Sequence, residues 1–283
     1  MSTDDALDRL RNRVSTVLER VMGGYQPRRY RSSKVVRDVI WGMIEIRPHE
    51  LAFVDSPLFQ RLRGILQTSL ALLTYPSAVH SRFEHSLGAL AISDRVLRKL
   101  TGPGSISDAE AIEVRLAALL HDCTHGPLSH TSEAFYKSDP IFAEIKRGHP
   151  PLFRNASASE MLTYCTLTCE PFQDLWRRIQ EQYEKLLAEV DMFRIATMIV
   201  GAYENTERAH ASINPKRRFL RQLINGPFDV DKLDYIARDG YFTGLTLGVD
   251  VERLLWVLDI YESHTEHIEA ALRCTCASWL PEP

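Results

Sequence analysis

Long apolar runs are missing from this 283-residue sequence. None approaches the ~20 residues that a membrane-spanning helix needs. The first residues, MSTDDALDRL, begin with acidic side chains and lack the apolar core of a secretory signal peptide. Apolar residues make up 45% of the chain and charged residues 25%, which is the ordinary composition of a globular protein. We therefore expect a soluble cytoplasmic protein with no membrane partner.

Cysteine and positive charge are also too scarce to define a class of protein. The five cysteines are odd in number for a disulfide framework, and the pairs Cys165/Cys169 and Cys274/Cys276 lack the CxxC spacing of a zinc ribbon. We expect most cysteines to be small buried residues. The net charge of −3 gives no global basic field, so single-stranded nucleic acid would have to bind a local patch such as Arg28–Arg37. That patch is more simply interpreted as a solvated basic loop.

Strand signals are confined to one short segment, Val39–Ile46, whose alternation and β-branched residues favour a pair of strands. Elsewhere apolar residues recur at helical spacing, and we predict an all-α fold with a small β-hairpin near the N-terminus. Residues 138–157 are rich in proline and polar side chains and are expected to form a loop or lid. The predicted helices span residues 4–22, a segment from Pro57 through LFQRLRGILQ, a segment after Ser81, a segment from Ser107 to Asp122, and residues 158–170, 172–202, 218–225, 229–239 and 250–262.

Histidine and aspartate are concentrated in one stretch, HDCTHGPLSH at residues 121–130. Ser107 and Glu110 have the spacing of a capping box, which predicts a helix that ends at His121 and Asp122. Burying these two polar side chains unpaired would cost on the order of several kcal/mol, and a metal ion would supply the missing partner. Taken singly, each histidine is more simply interpreted as a hydrogen-bonded core or surface residue.

A wider pattern favours the metal. His85 lies upstream and Asp231 downstream of the central pair, giving the order H…HD…D. All of these residues fall near predicted helix ends, where three helices can converge. Imidazole and carboxylate ligands together suit divalent ions such as Mn, Fe, Co, Ni or Zn, and Mg is also considered. The predicted metal ligands are His85, His121, Asp122 and Asp231.

Three further residues follow the predicted metal ligands along the chain. His125 lies about one turn after His121, where an imidazole can move protons at neutral pH. His130 and Glu133 are three residues apart on one helix face, and a carboxylate beside a histidine orients it and raises its basicity. The simpler alternatives are that His130 caps the helix and that Glu133 favours the helix dipole.

The predicted helix of Asp231 presents a second polar face. Lys232, Tyr235 and Asp239 recur at spacings of three, four and seven residues, so they share one side. Lysine suits phosphate charge and aspartate suits a hydroxyl, which indicates a phosphorylated sugar. An exposed helix with Asp–Arg pairs is the simpler alternative.

Three ordered blocks, HSRFEHSLG, LLHDCTHGPLSH and DVDKLDYIARD, resemble the signature blocks of the HD-domain metal-dependent phosphohydrolases. The upstream segment from Lys34 through FQRLRGILQ is similar to a subgroup, the dNTP triphosphohydrolases related to the sterile-alpha-motif/HD-domain protein. The resemblance covers residues 34–260 and implies hydrolysis of a dNTP at the α-phosphorus, with release of triphosphate and nucleoside. The expected organisation is an N-terminal helix and basic loop over residues 1–33, an HD phosphohydrolase domain over 34–262 and a C-terminal tail over 263–283.

The resemblance also implies roles for residues that match the family by position. His125 would be the main acid/base, Glu133 its orienting carboxylate, and His130 would contact phosphate or share in proton transfer. Substrate would be held at its phosphates and sugar by Gln67, Arg82, Lys232, Tyr235 and Asp239. A guanine nucleotide would bind at a subunit interface of a homo-oligomer, through Lys34, Val35, Asp55, Gln60 and Arg63. Capping and salt bridging are commoner uses of these last residues.

The sequence departs from the family at two places. Asn155 stands where the family's enzymes have a further active-site histidine, and the nearest histidine is His149. The match ends near residue 260, before the region that helps those enzymes to close the nucleotide pocket and assemble tetramers. Both departures leave strict dNTP specificity and nucleotide activation open.

Three functions therefore remain from the sequence. The leading one is a metal-dependent nucleotide phosphohydrolase that converts dNTPs to deoxynucleoside and triphosphate. The first alternative is an HD-type nuclease or phosphodiesterase acting on single-stranded or cyclic nucleotides, which the Arg28–Arg37 patch favours. The second alternative is a non-catalytic nucleotide or nucleic-acid sensor, which Asn155 favours. Turnover of a dNTP, cleavage of a strand, and binding without turnover would distinguish them.

Overall fold

A computed structural model describes residues 4–100, 106–214, 217–246, 249–262 and 268–272. Helices account for most of these residues, and the predicted all-α class is confirmed. The helices are α1 Asp4–Met22, α2 Pro48–Val54, α3 Pro57–Gln60, α4 Arg82–Leu100, α5 Asp108–Leu120, α6 Glu133–Ser138, α7 Pro140–Gly148, α8 Pro150–Phe153, α9 Ala158–Thr168, α10 Glu170–Gln182, α11 Glu184–Leu187, α12 Met192–Ile199, α13 Arg218–Ile224, α14 Val230–Thr243 and α15 Val251–Val257.

The predicted hairpin near the N-terminus is confirmed, but its first strand lies earlier than the segment Val39–Ile46. Strand β1, Lys34–Asp38, pairs antiparallel with β2, Gly42–Ile46. The residues between the strands form the turn, and Gly42 follows it at φ 76°, a left-handed conformation that favours glycine. Asp38 sets this turn, since its Oδ1 accepts hydrogen bonds from the backbone N–H groups of Ile40 and Trp41 at 2.9 Å each.

A second hairpin replaces the end of the helix predicted over residues 250–262. Helix α15 stops at Val257, and β3, Leu258–Glu262, pairs antiparallel with β4, Ile268–Leu272. Isoleucine and tyrosine in LDIYE favour a strand once a partner strand is available. Helical spacing within one segment could not reveal that partner, because it lies farther along the chain.

Helix α4 lies at the centre of the site's scaffold, where it packs against both α5 and α14. Helix α5 is buried on every side from Ile112 to Leu120, including the charged side chains of Glu113 and Arg115. The capping box predicted at its start is confirmed, since Glu110 N–H donates to Ser107 Oγ at 3.2 Å and Ser107 N–H donates to Glu110 at 2.8 Å. The helix ends at Leu120 with His121 as its C-cap, so the next residues leave the helix.

Two helical predictions need correction because proline and aspartate begin helices here. Residues 138–157 form α7 and α8 instead of a loop or lid, since Pro140 and Pro150 occupy first helical turns. Asp139 caps α7 by accepting a hydrogen bond from Ile141 N–H at 3.0 Å. The long helix predicted over 172–202 is divided into α10, α11 and α12. Asp191 begins the last of these by capping Phe193 N–H at 2.9 Å.

The segment after Pro57 is also shorter than predicted. Helix α3 ends at Gln60, and the chain continues as a 3-10 helix over Arg61–Gly64. The predicted burial of cysteine is confirmed for Cys123, Cys165 and Cys169, which are free and buried. Cys274 and Cys276 lie outside the described residues. In the part of the chain that the structure describes, every helix is too short or too polar to cross a membrane.

His49 on α2 is a buried histidine with an expected effect on stability. It is 1% exposed, and burial lowers its pKa to about 4 from its ordinary value of 6.5. Between these two pH values the unfolded chain binds a proton that the folded chain does not, so the free energy of unfolding falls as the pH drops. Unfolding in urea should show that wild type loses about 2 kcal/mol more than His49→Gln between about pH 7.5 and about pH 5.

The control for this comparison is His210→Gln, because His210 is 66% exposed. The free energy of unfolding of His210→Gln should change with pH in the same way as that of wild type. Parallel pH profiles for wild type and His49→Gln would show that His49 does not titrate as its burial requires.

Candidate metal centre and active site

Four side chains from three helical ends meet at the C-terminus of α5. His85 lies in the first turn of α4 and is fully buried, whereas Asp231 lies in the first turn of α14. His85 Nε2 is 3.2 Å from His121 Nε2 and 3.0 Å from Asp231 Oδ1. Asp122 Oδ2 is 3.4 Å from His85 Nε2 and 3.5 Å from His121 Nε2. The structure thus brings together all four residues that the sequence predicts as metal ligands.

The two histidines are held with their Nε2 atoms facing inward. His85 Nδ1 lies 2.7 Å from Asp234 Oδ2, and His121 Nδ1 lies 2.8 Å from the backbone oxygen of Ala118. Since both partners are acceptors, each Nδ1 carries a proton, and each Nε2 presents a lone pair once its own proton has left. Two such lone pairs 3.2 Å apart, with two carboxylates beside them, repel one another unless a proton or a metal cation lies between.

The donor set therefore fits a divalent metal ion. Two imidazole nitrogens and two carboxylates suit borderline divalent metals. A separation of 3.2 Å between the nitrogens is of the size expected when both bind one ion at about 2.1 Å. A hydrogen bond to the outer nitrogen of each histidine is also the usual support for a metal-ligating imidazole.

The charges of the cluster show the same preference for a cation. Burial lowers the pKa of His85, but hydrogen bonds to Asp231 and Asp234 outweigh burial and raise it to about 10. Burial alone would raise the pKa of Asp122, but the Arg82 guanidinium and the neighbouring imidazoles hold it well below its ordinary value. The site thus favours ionised carboxylates and a positive charge between them.

Asp234 is a residue of the site that sequence reasoning missed. It is fully buried, and besides His85 it accepts hydrogen bonds from Arg238 Nε at 2.9 Å and Arg238 Nη2 at 3.0 Å. Its position three residues after Asp231 places it one turn along the same helix, which was the available signal. This pair agrees in part with the simpler alternative of an exposed helix with Asp–Arg pairs. The pair is buried, however, whereas the alternative placed it on an exposed helix.

Arg82 adjoins the metal ligands from the first residue of α4. It is 1% exposed and its Nη1 pairs with Asp122 Oδ2, while its Nε donates to Ser129 Oγ at 2.9 Å. Ser129 in turn donates to the backbone oxygen of Gln67 at 2.9 Å. Ser129 is fully buried and has φ 50°, a left-handed conformation that non-glycine residues seldom adopt. Sequence reasoning missed Ser129, which ties together the segments carrying Arg82 and Gln67.

The three residues predicted for proton chemistry lie together beside the metal ligands. His125 Nε2 is 3.0 Å from Asp122 Oδ1, and its ring lies 5.2 Å from that of His130. His130 Nδ1 is 3.0 Å from Glu133 Oε1, which also accepts a hydrogen bond from Ser159 at 3.1 Å. Burial lowers the pKa of His125. Arg61 holds the turn from beneath by donating to the backbone oxygens of Cys123 at 2.5 Å and His125 at 2.7 Å.

Comparison with known proteins identifies the family. A family model described as "HD domain" matches residues 82–192, which include His85, His121 and Asp122. An uncharacterised protein of Methanocaldococcus jannaschii is 32% identical over 231 residues, covering 81% of this chain and 39% of that protein. The deoxynucleoside triphosphate triphosphohydrolase SAMHD1 of Bos taurus is 33% identical over 235 residues, covering 78% of this chain and 38% of that enzyme. This chain belongs to the HD-domain phosphohydrolase superfamily.

Solved structures place the HD domain in the same fold. A phosphohydrolase from Bacteroides thetaiotaomicron superposes with a TM-score of 0.56 at 30% identity, covering 83% of this chain and 48% of that one. A hypothetical protein from Aquifex aeolicus superposes with a TM-score of 0.61 at 28% identity, covering 87% of this chain and 55% of that one. The chain spans about two fifths of the length of the curated relatives it matches, 39% and 38% for the two named above.

The residues predicted to hold substrate lie on segments that carry or contact the candidate metal ligands, and most already have partners. Lys232 Nζ donates to Asp229 Oδ2 at 2.5 Å and to the backbone oxygen of Gly226 at 2.9 Å. Asp239 Oδ1 lies 2.7 Å from His80 Nε2, a buried histidine that sequence reasoning missed. Tyr235 is half-buried, and Gln67 is 4% exposed with no partner for its Oε1 among the described residues.

The residues predicted for a regulatory nucleotide lie on β1 and on the segment from Asp55 to Arg63. Lys34 Nζ is 3.9 Å from Asp55 Oδ2, and Arg63 Nε donates to Gln60 Oε1 at 2.9 Å. Gln60 also donates to the backbone oxygen of Val54, the neighbour of Asp55, at 2.7 Å. Val35 is 61% exposed. Both the capping and pairing alternatives and a nucleotide site are compatible with these contacts.

The departure from the family at Asn155 is visible in the structure. Asn155 is exposed in the turn before α9. His149 is buried 6.2 Å from the ring of Phe153, and its Nδ1 lies 3.1 Å from Thr206 Oγ1. Its partner Thr206 belongs to the segment between α12 and α13, which carries none of the predicted metal ligands.

Proposed function

We propose that this chain is a metal-dependent nucleotide phosphohydrolase that hydrolyses dNTPs to deoxynucleoside and triphosphate. One observation carries the proposal. Two inward-facing imidazole nitrogens lie 3.2 Å apart, and each is 3.0 to 3.7 Å from an oxygen of both carboxylates, with the buried cation of Arg82 and the buried imidazole of His125 against the carboxylate of Asp122. The similarity to a deoxynucleoside triphosphate triphosphohydrolase supports the choice of substrate.

In this proposal His85, His121, Asp122 and Asp231 hold one divalent ion. The chemistry that such an ion supplies is Lewis acidity toward a phosphate oxygen and acidification of water. Asp234 and the backbone of Ala118 keep the two imidazoles in the tautomer that presents Nε2. Asp122 has two tasks, since its Oδ2 faces the histidine ligands and its Oδ1 accepts from His125.

His125 is the residue proposed to move the proton. With Nε2–H donated to Asp122, its Nδ1 is the free acceptor, and Nδ1 has no hydrogen-bond partner in the described part of the chain. Burial lowers the pKa of this imidazole, which keeps it neutral and able to accept a proton near pH 7. His130 lies against the His125 ring and its side chain is 68% exposed, so it offers a route for the proton to solvent, with Glu133 orienting it.

The remaining predicted residues are proposed to bind the rest of the nucleotide. Arg82 and Lys232 would neutralise phosphates, and each would have to exchange a present carboxylate partner, Asp122 or Asp229, for a phosphate oxygen. Asp239 and Gln67 would accept from and donate to the sugar hydroxyl, against the ring of Tyr235. The family resemblance adds two parts to the proposal. The chain would assemble into a homo-oligomer, and a guanine nucleotide would bind at Lys34, Val35, Asp55, Gln60 and Arg63.

The direct test is product analysis with Mn²⁺ on a panel of dNTPs, NTPs, cyclic nucleotides and single-stranded oligonucleotides. The expected products are tripolyphosphate and deoxynucleoside. Orthophosphate or pyrophosphate would assign a different cleavage position, and shortened strands would assign a nuclease. Tight nucleotide binding without turnover under several metals would contradict the proposal and favour a sensor.

A further inference from the structure

Asp234 receives hydrogen bonds from two parts of the chain that are far apart in sequence. Its Oδ2 lies 2.7 Å from His85 Nδ1. Its Oδ1 accepts a hydrogen bond from the indole Nε1–H of Trp41 at 2.5 Å. Arg238 donates hydrogen bonds to Asp234 from the next turn of α14. It also donates through Nη1 to Asp38 Oδ2 at 2.8 Å. Both Trp41 and Asp38 belong to the N-terminal hairpin, so the hairpin reaches the partner of a predicted metal ligand.

This network is buried throughout. His85, Asp234 and Arg238 are fully buried, and Trp41 is 6% exposed. A buried carboxylate whose donors are removed cannot recover them from water, so loss of one donor is costly or lets the carboxylate turn. Each hydrogen bond to Asp234 therefore helps to determine where its Oδ2 lies, and with it the orientation of the His85 ring.

Gly88 of helix α4 lies so close to the same carboxylate that a larger residue would not fit there. A Cβ atom built on Gly88 would lie 1.8 Å from Asp234 Oδ1 and 2.5 Å from Arg238 Nη2. Glycine in a helix interior costs about 1 kcal/mol relative to alanine. The close approach of the carboxylate and guanidinium gives a physical reason for its presence here, one turn after His85.

The turn of the hairpin is itself held in place. Asp38 Oδ1 accepts from the N–H groups of Ile40 and Trp41, while its Oδ2 accepts from Arg238. Arg95 of α4 donates to the backbone oxygen of Trp41 at 3.0 Å, and its guanidinium lies 5.2 Å from the indole centroid. The indole Nε1 therefore arrives at Asp234 from a fixed direction.

We propose that Trp41 and Asp38 are positioning residues of the metal centre, acting through Asp234 and Arg238 on the ring of His85. Metal affinity then depends on a hairpin that supplies no ligand. The inference rests on the proposed metal centre and is independent of which nucleotide is the substrate.

Trp41→Phe is the sharpest test, because it keeps an aromatic ring in the turn and removes the Nε1–H. The matched control is Trp176→Phe, since Trp176 is a buried tryptophan of α10 that stacks on Phe53 at 6.1 Å. Asp38→Asn tests the second contact and serves if Trp41→Phe fails to fold. For each protein, Co²⁺ is titrated into the metal-free chain, with affinity from calorimetry and coordination from the visible absorption of Co²⁺.

We expect Trp41→Phe and Asp38→Asn to weaken Co²⁺ binding by up to about 10-fold, because they act one and two hydrogen bonds farther out than the direct partner of a metal ligand, whose loss costs about 10- to 100-fold. The absorption spectrum of the bound Co²⁺ should also change, while Trp176→Phe keeps wild-type affinity and spectrum. A lower thermal midpoint of metal-free Trp41→Phe with unchanged Co²⁺ affinity and spectrum would show a merely structural role and overturn the inference. Absence of saturable Co²⁺ binding in wild type would instead overturn the proposed metal centre itself.

Discussion

The double substitution His121→Ala, Asp122→Ala is expected to abolish nucleotide hydrolysis and saturable Mn²⁺ binding together. It removes one imidazole and one carboxylate of the four converging ligands, and it leaves the carboxylate of Asp231 facing only His85. Loss of an outer hydrogen bond costs about 10- to 100-fold in metal affinity, so loss of two direct ligands should exceed that range. Steady-state hydrolysis of a dNTP and calorimetric titration with Mn²⁺ measure the two effects on the same preparation.

The matched control replaces a histidine and an aspartate that lie outside the site. His210 and Asp108 are both exposed, so His210→Ala, Asp108→Ala should keep the wild-type rate and metal affinity. Retention of hydrolysis by the His121→Ala, Asp122→Ala protein, with the control unchanged, would show that another site carries the activity.

Gly88→Ala is expected to lower the stability of the folded chain strongly. The added Cβ would collide with Asp234 Oδ1 at 1.8 Å and with Arg238 Nη2 at 2.5 Å, so the buried ion pair must separate or α4 must move away from α14. Breaking a buried pair typically costs about 3–5 kcal/mol. We expect the free energy of unfolding in urea to fall by an amount in that range.

Gly64→Ala is the control for this prediction, because a Cβ at Gly64 meets nothing within 4 Å. It should change stability by less than about 1 kcal/mol. If Gly88→Ala were as stable as Gly64→Ala, with Co²⁺ affinity unchanged, the packing of α4 against α14 would be looser than the structure shows.

The convergence of the four predicted metal ligands was accessible from the sequence because their signals are local. Ser107 and Glu110 mark the start of α5 three residues apart, and the apolar residues that follow require a buried helix, so the polar pair at its end stands out. The order of His85, the His121–Asp122 pair and Asp231 then needed only that helix ends converge. The structure shows this convergence directly.

The supporting residues were inaccessible for the opposite reason. Trp41 and Asp234 are 193 positions apart in the chain, and Arg238 and Asp38 are 200 apart. Helical spacing within one segment carries no information about such contacts. Ser129 was missed because its left-handed backbone and its bonds to Arg82 and Gln67 depend on a turn that no spacing rule describes.

The predicted helix boundaries were wrong where one residue type has two common structural roles. By residue type alone, Pro140 and Pro150 favour a loop. Each lies instead in a first helical turn, where its missing N–H is not needed. Asp191 likewise falls inside the long helix predicted over 172–202, yet it caps the start of α12. The partner of a residue decides between the two uses, and the partner becomes known only in the fold.

The measurement that tests the central claim most directly is an equilibrium titration of the metal-free wild-type chain with Mn²⁺, followed by calorimetry and by the rate of dNTP hydrolysis in the same samples. We expect saturable binding at the cluster formed by His85, His121, Asp122 and Asp231. The rate of hydrolysis should rise in proportion to metal occupancy, and the product should be tripolyphosphate. Full hydrolysis of a dNTP by protein shown to be free of metal, or binding of Mn²⁺ that survives replacement of both His121 and Asp122, would contradict it.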